Sequence, residues 1–372
     1  MMSMWVAVTG FIQAFFLSFF LIRTERGSRR ANYWLAAYLA VVACYLLFPQ
    51  VIRSFANDFP HLIAVGYPLL FLTGPLLFVY TRTILSPGQQ LPKRNYYHFI
   101  PAGLVVVFLS DFYLQTGKDK LTALSFIREH GQPLRFSVIW CMACIHIIMY
   151  LYICYKSAKA YNIGIKNYYS STNRISLKWL EQFSWYNLLL WCIYSTGYLL
   201  VLSGIEYDPL GAIDQVFTVV LAVYIYFLSY TALQQPDLFP GPVIKEFKIP
   251  IKEKQNLTAD IKQQYQATID GIISTQKPYL SAELTLHDLS DITQIPARTL
   301  SMVLRELYQS NFYDFINSHR INEVKLRLKD PAYDHLTIVS IAYECGFNSK
   351  TAFNEAFKKF VSMTPTAYKK SK

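Results

Sequence analysis

The chain has 372 residues, of which 53% are hydrophobic and only 16% charged, and its net charge is +11. This length predicts two or three domains, and the low share of charged residues argues against a chain that is soluble throughout. Residues 1–240 hold 17 Lys/Arg and 10 Asp/Glu, and the last 132 residues hold the remaining 18 and 14. Most of the positive balance therefore belongs to the apolar part, and it says little by itself about nucleic acid.

Seven apolar runs of about 20 residues each occupy the N-terminal two-thirds of the chain, and that length is enough to cross a bilayer. The runs are about 3–22, 32–52, 61–81, 95–115, 136–155, 183–204 and 213–234. Aromatic residues flank them, as in the aromatic belts of membrane proteins: Trp5, Tyr33, Trp34, Tyr96, Tyr97, Trp179 and Trp185. These features predict seven transmembrane helices. The alternative is a large soluble helical core.

The distribution of Lys and Arg between the loops predicts the orientation of these helices. The first, third and fifth loops hold 12 Lys/Arg, and the second, fourth and sixth hold 5. Because cytoplasmic loops are enriched in Lys and Arg, we expect a multi-pass protein of the cytoplasmic (inner) membrane. Its N-terminus would lie outside, and after seven spans the C-terminal domain would lie in the cytoplasm.

A few polar residues near the predicted outer ends of the spans are candidates for binding a signal, since ionisable groups at such depths are often functional. They are Asp111, Glu206, Asp208, Asp214 and Gln215. Together they could rim an outward-facing pocket for a small-molecule or membrane signal. The alternative is that each is solvated at the interface. A metal site at Cys141, Cys144 and His146 is disfavoured, because His146 lies on a different face of a helix from Cys144.

The sequence predicts a linker between the membrane part and the C-terminal part. Residues 235–258 contain Pro236, Pro240, Pro242 and Pro250, which are incompatible with one long helix. The predicted domains are 1–234, the linker 235–258, and 259–372. An amphipathic helix over 258–275 would open the last domain.

Two helix-turn-helix patterns follow, joined by a longer amphipathic helix over 312–328. In the second pattern, Gly346 ends a helix that begins near Thr337. Asn348 and Ser349 then precede a helix over 350–360. In the first pattern, a helix over 286–292 is followed by a turn at 294–296 and a helix over 297–308. Phe353, Phe357 and Phe360 are predicted to share an apolar stripe opposite a polar one.

These segments read LTLHDLS, IPARTLS, NFYDFINSHRINEVKLRL, LTIVSIAYECGFNSKTAF, FKKF and MTPTAY in order. The series resembles the DNA-binding domain of the AraC family of bacterial transcription regulators over roughly residues 260–372. The resemblance implies a bundle of about seven helices with two helix-turn-helix units on one long helix. The two recognition helices would enter successive major grooves about 34 Å apart, so the expected partner is double-stranded DNA.

The residues expected to contact DNA lie on the polar faces of the two recognition helices, where Asn can pair with adenine and Lys with guanine. In the first helix-turn-helix they are Arg298, Thr299 and Ser301. In the second helix-turn-helix they are Ser349, Lys350, Thr351, Asn354, Lys358 and Lys359. The alternative roles are phosphate contact or plain solvation. The sequence departs from the family at Met302 and Glu355, where Arg is common, and at Ser362, where Gly is usual. No base-reading role is carried over to Met302 or Glu355.

The fold class predicted is all-α, a seven-helix membrane bundle followed by an AraC-type domain. We expect a one-component regulator that couples a membrane signal to transcription, with RNA polymerase as a further partner and a homodimer as one assembly it could form. The sequence contains no P-loop, zinc spacing or nucleophile motif, so neither enzymatic activity nor a cofactor is expected. The alternatives are a transporter or membrane enzyme with a regulatory tail, and an adaptor whose C-terminal domain binds protein.

Overall fold

The structure is a computed structural model, and it describes residues 2–25, 28–86, 91–173, 175–202, 215–226 and 258–371. Within these ranges the chain is almost entirely helical, and its only β-pairing is an isolated antiparallel bridge between Tyr169 and Thr285. The described residues group into two compact units. The first contains residues up to 159 and those from 177 to 226, and the second contains residues 160–176 and 258–371.

The first unit is built from long apolar helices. In chain order the helices are α1 (Met2–Arg23), α2 (Arg29–Phe55), α3 (Gly66–Leu85), α4 (Ile100–Phe108), α5 (Ser110–Tyr113), α6 (Gly117–His130), α7 (Leu134–Gly164), α8 (Lys178–Leu202) and α9 (Gln215–Tyr226). Helix α7 runs across the boundary between the units, because its last residues are counted with the second. Short 3₁₀ turns at Pro60–Leu62, Lys93–Phe99 and Ile165–Asn167 connect some of them.

Four helices of the described ranges are long and apolar enough to cross a membrane, rather than the seven expected. They are Met4–Arg23, Arg29–Phe55, Gly66–Leu85 and Leu134–Asn167. Each overlaps one of the predicted runs, and the last consists of α7 with the 3₁₀ turn Ile165–Asn167 that follows it. A helix of 20 residues rises about 30 Å, which matches the hydrocarbon core of a bilayer.

The prediction of a continuous span over 95–115 is wrong. A 3₁₀ turn occupies Lys93–Phe99, α4 has only nine residues, and α5 has four. The backbone N–H of Leu109 closes the end of α4 by bonding to the carbonyl of Val105 at 3.0 Å. Residues 100–109 are apolar throughout, and hydropathy cannot distinguish one long helix from several short pieces.

The last two predicted runs, 183–204 and 213–234, are also absent from the four candidate spans. Helix α8 has 25 residues, and it is not among the four candidates found in the described part of the chain. Of the run 213–234, only residues 215–226 lie in the described part of the chain, where they form the apolar helix α9. The rest of this predicted span lies outside the described residues. The predicted linker 235–258 lies outside the described residues except for Thr258.

Close packing in the first unit depends on small residues at helix contacts. A Cβ at Gly74 in α3 would lie 2.6 Å from the ring of Tyr150 in α7. Tyr150 in turn bonds the Nδ1 atom of His98 at 2.6 Å. Such close approach is the usual role of glycine between membrane helices.

The second unit contains seven helices and two hydrophobic cores. The helices are α10 (Ala259–Thr275), α11 (Leu286–Thr293), α12 (Ala297–Leu307), α13 (Phe312–Lys329), α14 (Ile338–Glu344), α15 (Lys350–Val361) and α16 (Pro365–Lys370). The N-terminal half of α13 packs with α10, α11 and α12, and its C-terminal half packs with α14 and α15. Helix α13 therefore joins two helical subassemblies, as expected for the linking helix.

Candidate nucleic-acid interface

The helix-turn-helix formed by α14 and α15 is defined by side-chain caps and one glycine. Thr337 caps α14 by accepting a hydrogen bond from the Ser340 N–H at 3.0 Å, and Ser349 caps α15 by accepting from the Ala352 N–H at 3.1 Å. Between them, Gly346 has φ of +92°, a conformation that glycine adopts without strain. The sequence thus specifies the two helices and the turn between them.

Helix α15 has a buried apolar face and an exposed polar face, as a recognition helix requires. Phe353 and Phe357 are 1% and 0% exposed, whereas Lys350, Thr351 and Asn354 are exposed. We call these three residues the recognition stripe. They lie in the N-terminal half of the helix, where side chains usually reach base edges.

Three other residues predicted on α15 differ in their surroundings. Phe360 was expected on the buried stripe, but it is 39% exposed. Lys358 is exposed, whereas the Nζ of Lys359 bonds the Asp314 carboxylate at 2.7 Å. Lys359 therefore forms an ion pair with the first turn of α13. Ser349, also predicted to contact DNA, caps the N-terminus of α15.

The left-handed position after α15 is occupied by Ser362, where the family usually has glycine. Its φ is +60° and its ψ is 12°, and its N–H bonds the Lys358 carbonyl at 3.0 Å. The backbone therefore adopts the geometry that glycine favours, with a serine in place.

The first helix-turn-helix is formed by α11 and α12. Thr285 and Asp288 form a reciprocal capping box at the start of α11, and Gln294 ends that helix with φ of +57°. Within α12, Leu300 and Leu304 are fully buried.

The predicted contact residues of α12 differ in accessibility. Arg298 is exposed and Ser301 half-buried, while Thr299 is only 8% exposed. Met302 is also half-buried. Helix α12 thus offers fewer exposed polar groups than α15 does.

Helix α13 carries a buried polar network that sequence patterns did not single out. Arg320 is 1% exposed, and its guanidinium donates to the carbonyls of Tyr279 at 2.7 Å and Ser281 at 2.6 Å, and to the Asn317 side chain at 3.2 Å. Burial lowers the pKa of Arg320 to about 10, so it stays charged at neutral pH. The signal in the sequence that could have revealed this network is the pair Asn317 and Arg320, which are polar residues on the inner face of an amphipathic helix.

A second buried charge lies one turn further along α13. Burial alone would raise the pKa of Glu323, but hydrogen bonds from Lys277 at 3.0 Å and Arg327 at 3.1 Å lower it below its usual value. Arg327 also reaches Glu344 of α14 at 3.0 Å. This group therefore links the segment after α10 to the second helix-turn-helix.

The structure describes two of the five candidate ligand residues in the first unit. Asp111 accepts a hydrogen bond from Arg135 at 2.7 Å, and this bond lowers the pKa of Asp111. Gln215 is exposed at the start of α9. Glu206, Asp208 and Asp214 lie outside the described residues. A cleft of about 550 Å³ adjoins Arg135, and Phe112, Phe126 and Phe136 contribute to its walls.

Within the described residues, no group of three or more His, Cys, Asp or Glu side chains is arranged to hold a metal ion. Cys141, Cys144 and His146 do not form such a group.

Comparison with known proteins identifies the C-terminal part. A family described as "Helix-turn-helix domain" matches residues 289–371. These residues are a helix-turn-helix domain of the AraC type. The helix-turn-helix domain begins within α11 and ends after α16, so it includes both recognition helices and the linking helix α13.

Its relatives are transcriptional regulators. The chain is 34% identical over 87 residues to an uncharacterized HTH-type transcriptional regulator of Staphylococcus aureus (strain COL), covering 23% of this chain and 11% of that protein. It is 30% identical over 87 residues to the melibiose operon regulatory protein of Escherichia coli (strain K12), covering 28% of that protein. The chain thus spans only a small part of these relatives. No solved structure gives a significant match.

Proposed function

We propose that this chain is a membrane-embedded, sequence-specific DNA-binding regulator that couples a signal at the membrane to gene expression. The proposal covers the whole chain, whereas the similarity to transcriptional regulators covers its helix-turn-helix domain. The membrane attachment, the sensing role and the contact residues therefore rest on the structure and on sequence patterns.

The observation that carries the proposal is the recognition stripe on α15. Lys350, Thr351 and Asn354 are exposed on the first two turns of a helix whose opposite face is locked by buried Phe353 and Phe357. A rigid helix that presents a donor-rich polar edge can read base edges in a major groove. Lys358, Lys369 and Lys370 would supply phosphate contacts nearby.

The membrane location is supported by the four helices long and apolar enough to span a bilayer. Transcriptional control requires the helix-turn-helix domain to be in the cytoplasm, and the Lys/Arg-rich loops favour the same side for the C-terminus. We therefore propose a multi-pass protein of the cytoplasmic membrane with its N-terminus outside.

The sensing role would use the cleft next to the ion pair of Asp111 and Arg135. Aromatic walls and a few charged groups are the usual ingredients of a small-molecule site. A ligand can act only if it prefers one conformation of the membrane helices over another. The proposed regulator would also contact RNA polymerase and could act as a homodimer.

The proposal is tested by measuring DNA affinity of the full-length protein in lipid nanodiscs as a function of salt. Each phosphate contact adds roughly one unit to the slope of log affinity against log salt. Lys350→Ala should lower affinity, and Asn354→Ala should weaken binding by about 1–3 kcal/mol and relax the preference for one base pair.

A matched control is Lys118→Ala, because it removes the same charge from an exposed lysine of the first unit. It should leave both affinity and slope unchanged. Absence of salt-dependent binding by the intact protein at about 50 mM salt, where electrostatic binding is strong, would refute the proposal.

A further inference from the structure

A segment from the middle of the chain forms part of the second unit. We call residues 165–173, between α7 and α8, the docking segment. Its backbone pairs with residues 284–286: the Ser170 N–H donates to the Leu284 carbonyl at 3.1 Å, and the Leu286 N–H donates to the Tyr168 carbonyl at 2.8 Å. Thr285, which caps α11, lies opposite Tyr169. The docking segment is therefore fixed to the start of the first helix-turn-helix.

The docking segment also completes the buried network around Arg320. The Ser170 carbonyl accepts from Arg320 at 3.2 Å and from the Asn317 side chain at 3.3 Å, and the Ser170 hydroxyl accepts from Arg320 at 3.0 Å. Ser170, Asn317 and Arg320 are each 1% exposed. A buried guanidinium needs acceptors for its N–H groups. Removing the segment would leave two of the Arg320 nitrogens short of acceptors.

A third contact reaches the second helix-turn-helix. The Ser171 hydroxyl donates to the Asn348 side-chain oxygen at 2.9 Å, and Asn348 directly precedes the α15 cap Ser349. The Lys166 ammonium lies 5.4 Å from the Tyr313 ring centroid, over the first turn of α13. One short segment thus contacts both helix-turn-helix units and the helix between them.

The docking segment leaves the recognition stripe uncovered. Lys350, Thr351 and Asn354 are exposed while the segment is in place. Docking is therefore compatible with a major-groove approach of α15, and a segment that masked the DNA-binding face would have buried these side chains.

We propose that the docking segment is a clamp that holds the two helix-turn-helix units in their DNA-binding arrangement and transmits the state of the membrane helices to them. This inference rests on the function proposed above. The clamp is covalently continuous with α7 on one side and α8 on the other. A movement of either helix would therefore strain or break the contacts of Ser170 and Ser171. The state in which the segment is docked is the one with high DNA affinity.

The clamp can be tested by cross-linking it in the full-length protein in nanodiscs. Ser171→Cys combined with Asn348→Cys places two thiols within reach of a short bifunctional thiol reagent with a reducible spacer, because a hydrogen bond of 2.9 Å now joins the two side chains. A protease site inserted in residues 235–258 allows the cross-link to be read as two fragments that stay joined until reduction. Each single cysteine variant is a control, since six native cysteines are present.

DNA binding of the cross-linked protein is measured with a fluorescein-labelled duplex of mixed sequence, about 40 base pairs long so that both units can bind. We expect efficient cross-linking, an affinity within about twofold of the uncross-linked protein and the same salt slope, since the number of phosphate contacts is unchanged. Ser170→Pro removes the N–H that bonds Leu284. It should lower DNA affinity about tenfold and flatten the slope of log affinity against log salt, because only one helix-turn-helix unit then binds at a time. Asn173→Ala, at an exposed position of the same segment, should change neither.

Three results would overturn the proposal, and they are distinguishable. Failure of the double variant to cross-link while it binds DNA would show that the segment does not dock. Loss of DNA binding on cross-linking, restored by reduction, would make the segment an inhibitor. Absence of DNA binding by the wild-type chain would instead remove the proposed function, and the inference with it, whatever the cross-linking result.

Discussion

Replacement of Gly346 by alanine should strongly destabilise the helix-turn-helix domain. An added Cβ would lie 2.5 Å from the Tyr279 carbonyl oxygen and 2.9 Å from both the Leu280 carbonyl oxygen and the Arg320 Nε. The first of these oxygens accepts the hydrogen bond from Arg320. The methyl group would therefore displace an acceptor of a buried cation.

Two effects set the size of this loss. A φ of +92° lies outside the left-handed region near +57° that other residues can reach, and such strain is worth about 1–3 kcal/mol. Loss of a hydrogen bond to a charged group adds about 1.5–3 kcal/mol. We expect the domain to lose about 4 kcal/mol, which is close to a thousandfold change in the folded-to-unfolded ratio.

The assay is pulse proteolysis of the full-length protein in detergent across a urea series, with the C-terminal fragment detected by antibody. For a denaturant slope of about 1.5 kcal/mol per molar urea, Gly346→Ala should lower the midpoint by about 2–3 M. The matched control is Gly271→Ala in α10, where a Cβ meets nothing within 4 Å and alanine favours the helix. A midpoint for Gly346→Ala equal to that of wild type would refute the packing argument.

Three further changes in the second unit are predicted. Ser362→Gly should stabilise the domain by about 0.5–1 kcal/mol, because it relieves a left-handed serine, and its urea midpoint should rise. Thr285→Ala should lower the midpoint by removing the cap of α11, a loss of about 1 kcal/mol. Because Lys277 and Arg327 lower the folded-state pKa of Glu323, the unfolded chain takes up that proton first as the pH falls. The stabilisation is then complete above the ordinary pKa of 4.5 and is lost as the pH falls through the folded value. Glu323→Gln should remove this part of the pH dependence, and an unchanged acid profile would contradict it.

Local sequence signals were sufficient for the helix-turn-helix units. Caps, turn residues and apolar spacing predicted α15 over 350–360, and the helix observed is Lys350–Val361. The helix over 258–275 is likewise observed as Ala259–Thr275. These features depend on interactions within a few residues, such as the Ser349 cap and the Gly346 turn. They are therefore readable from one sequence.

Non-local features were not readable in the same way. The Ser170 contacts with Leu284 and Arg320 join residues more than 100 positions apart, and no spacing rule connects them. The break at Leu109 was missed because an evenly apolar run has no periodicity to mark its helix ends. Thr299 was predicted on an exposed face but is buried, and Phe360 was predicted on the apolar stripe but is exposed. Correct helix bounds therefore do not fix the burial of every side chain.

The central claim is that this chain binds specific DNA sites through its two helix-turn-helix units while attached to the membrane. Chromatin capture and sequencing of the full-length, tagged protein in its native cell tests this most directly, with membrane fractionation of the same culture. We predict a few sharp peaks, each with a two-part motif about one helical turn apart, and loss of these peaks in Asn354→Ala. Absence of enrichment, with the intact protein present in the membrane fraction of the same culture, would contradict the claim.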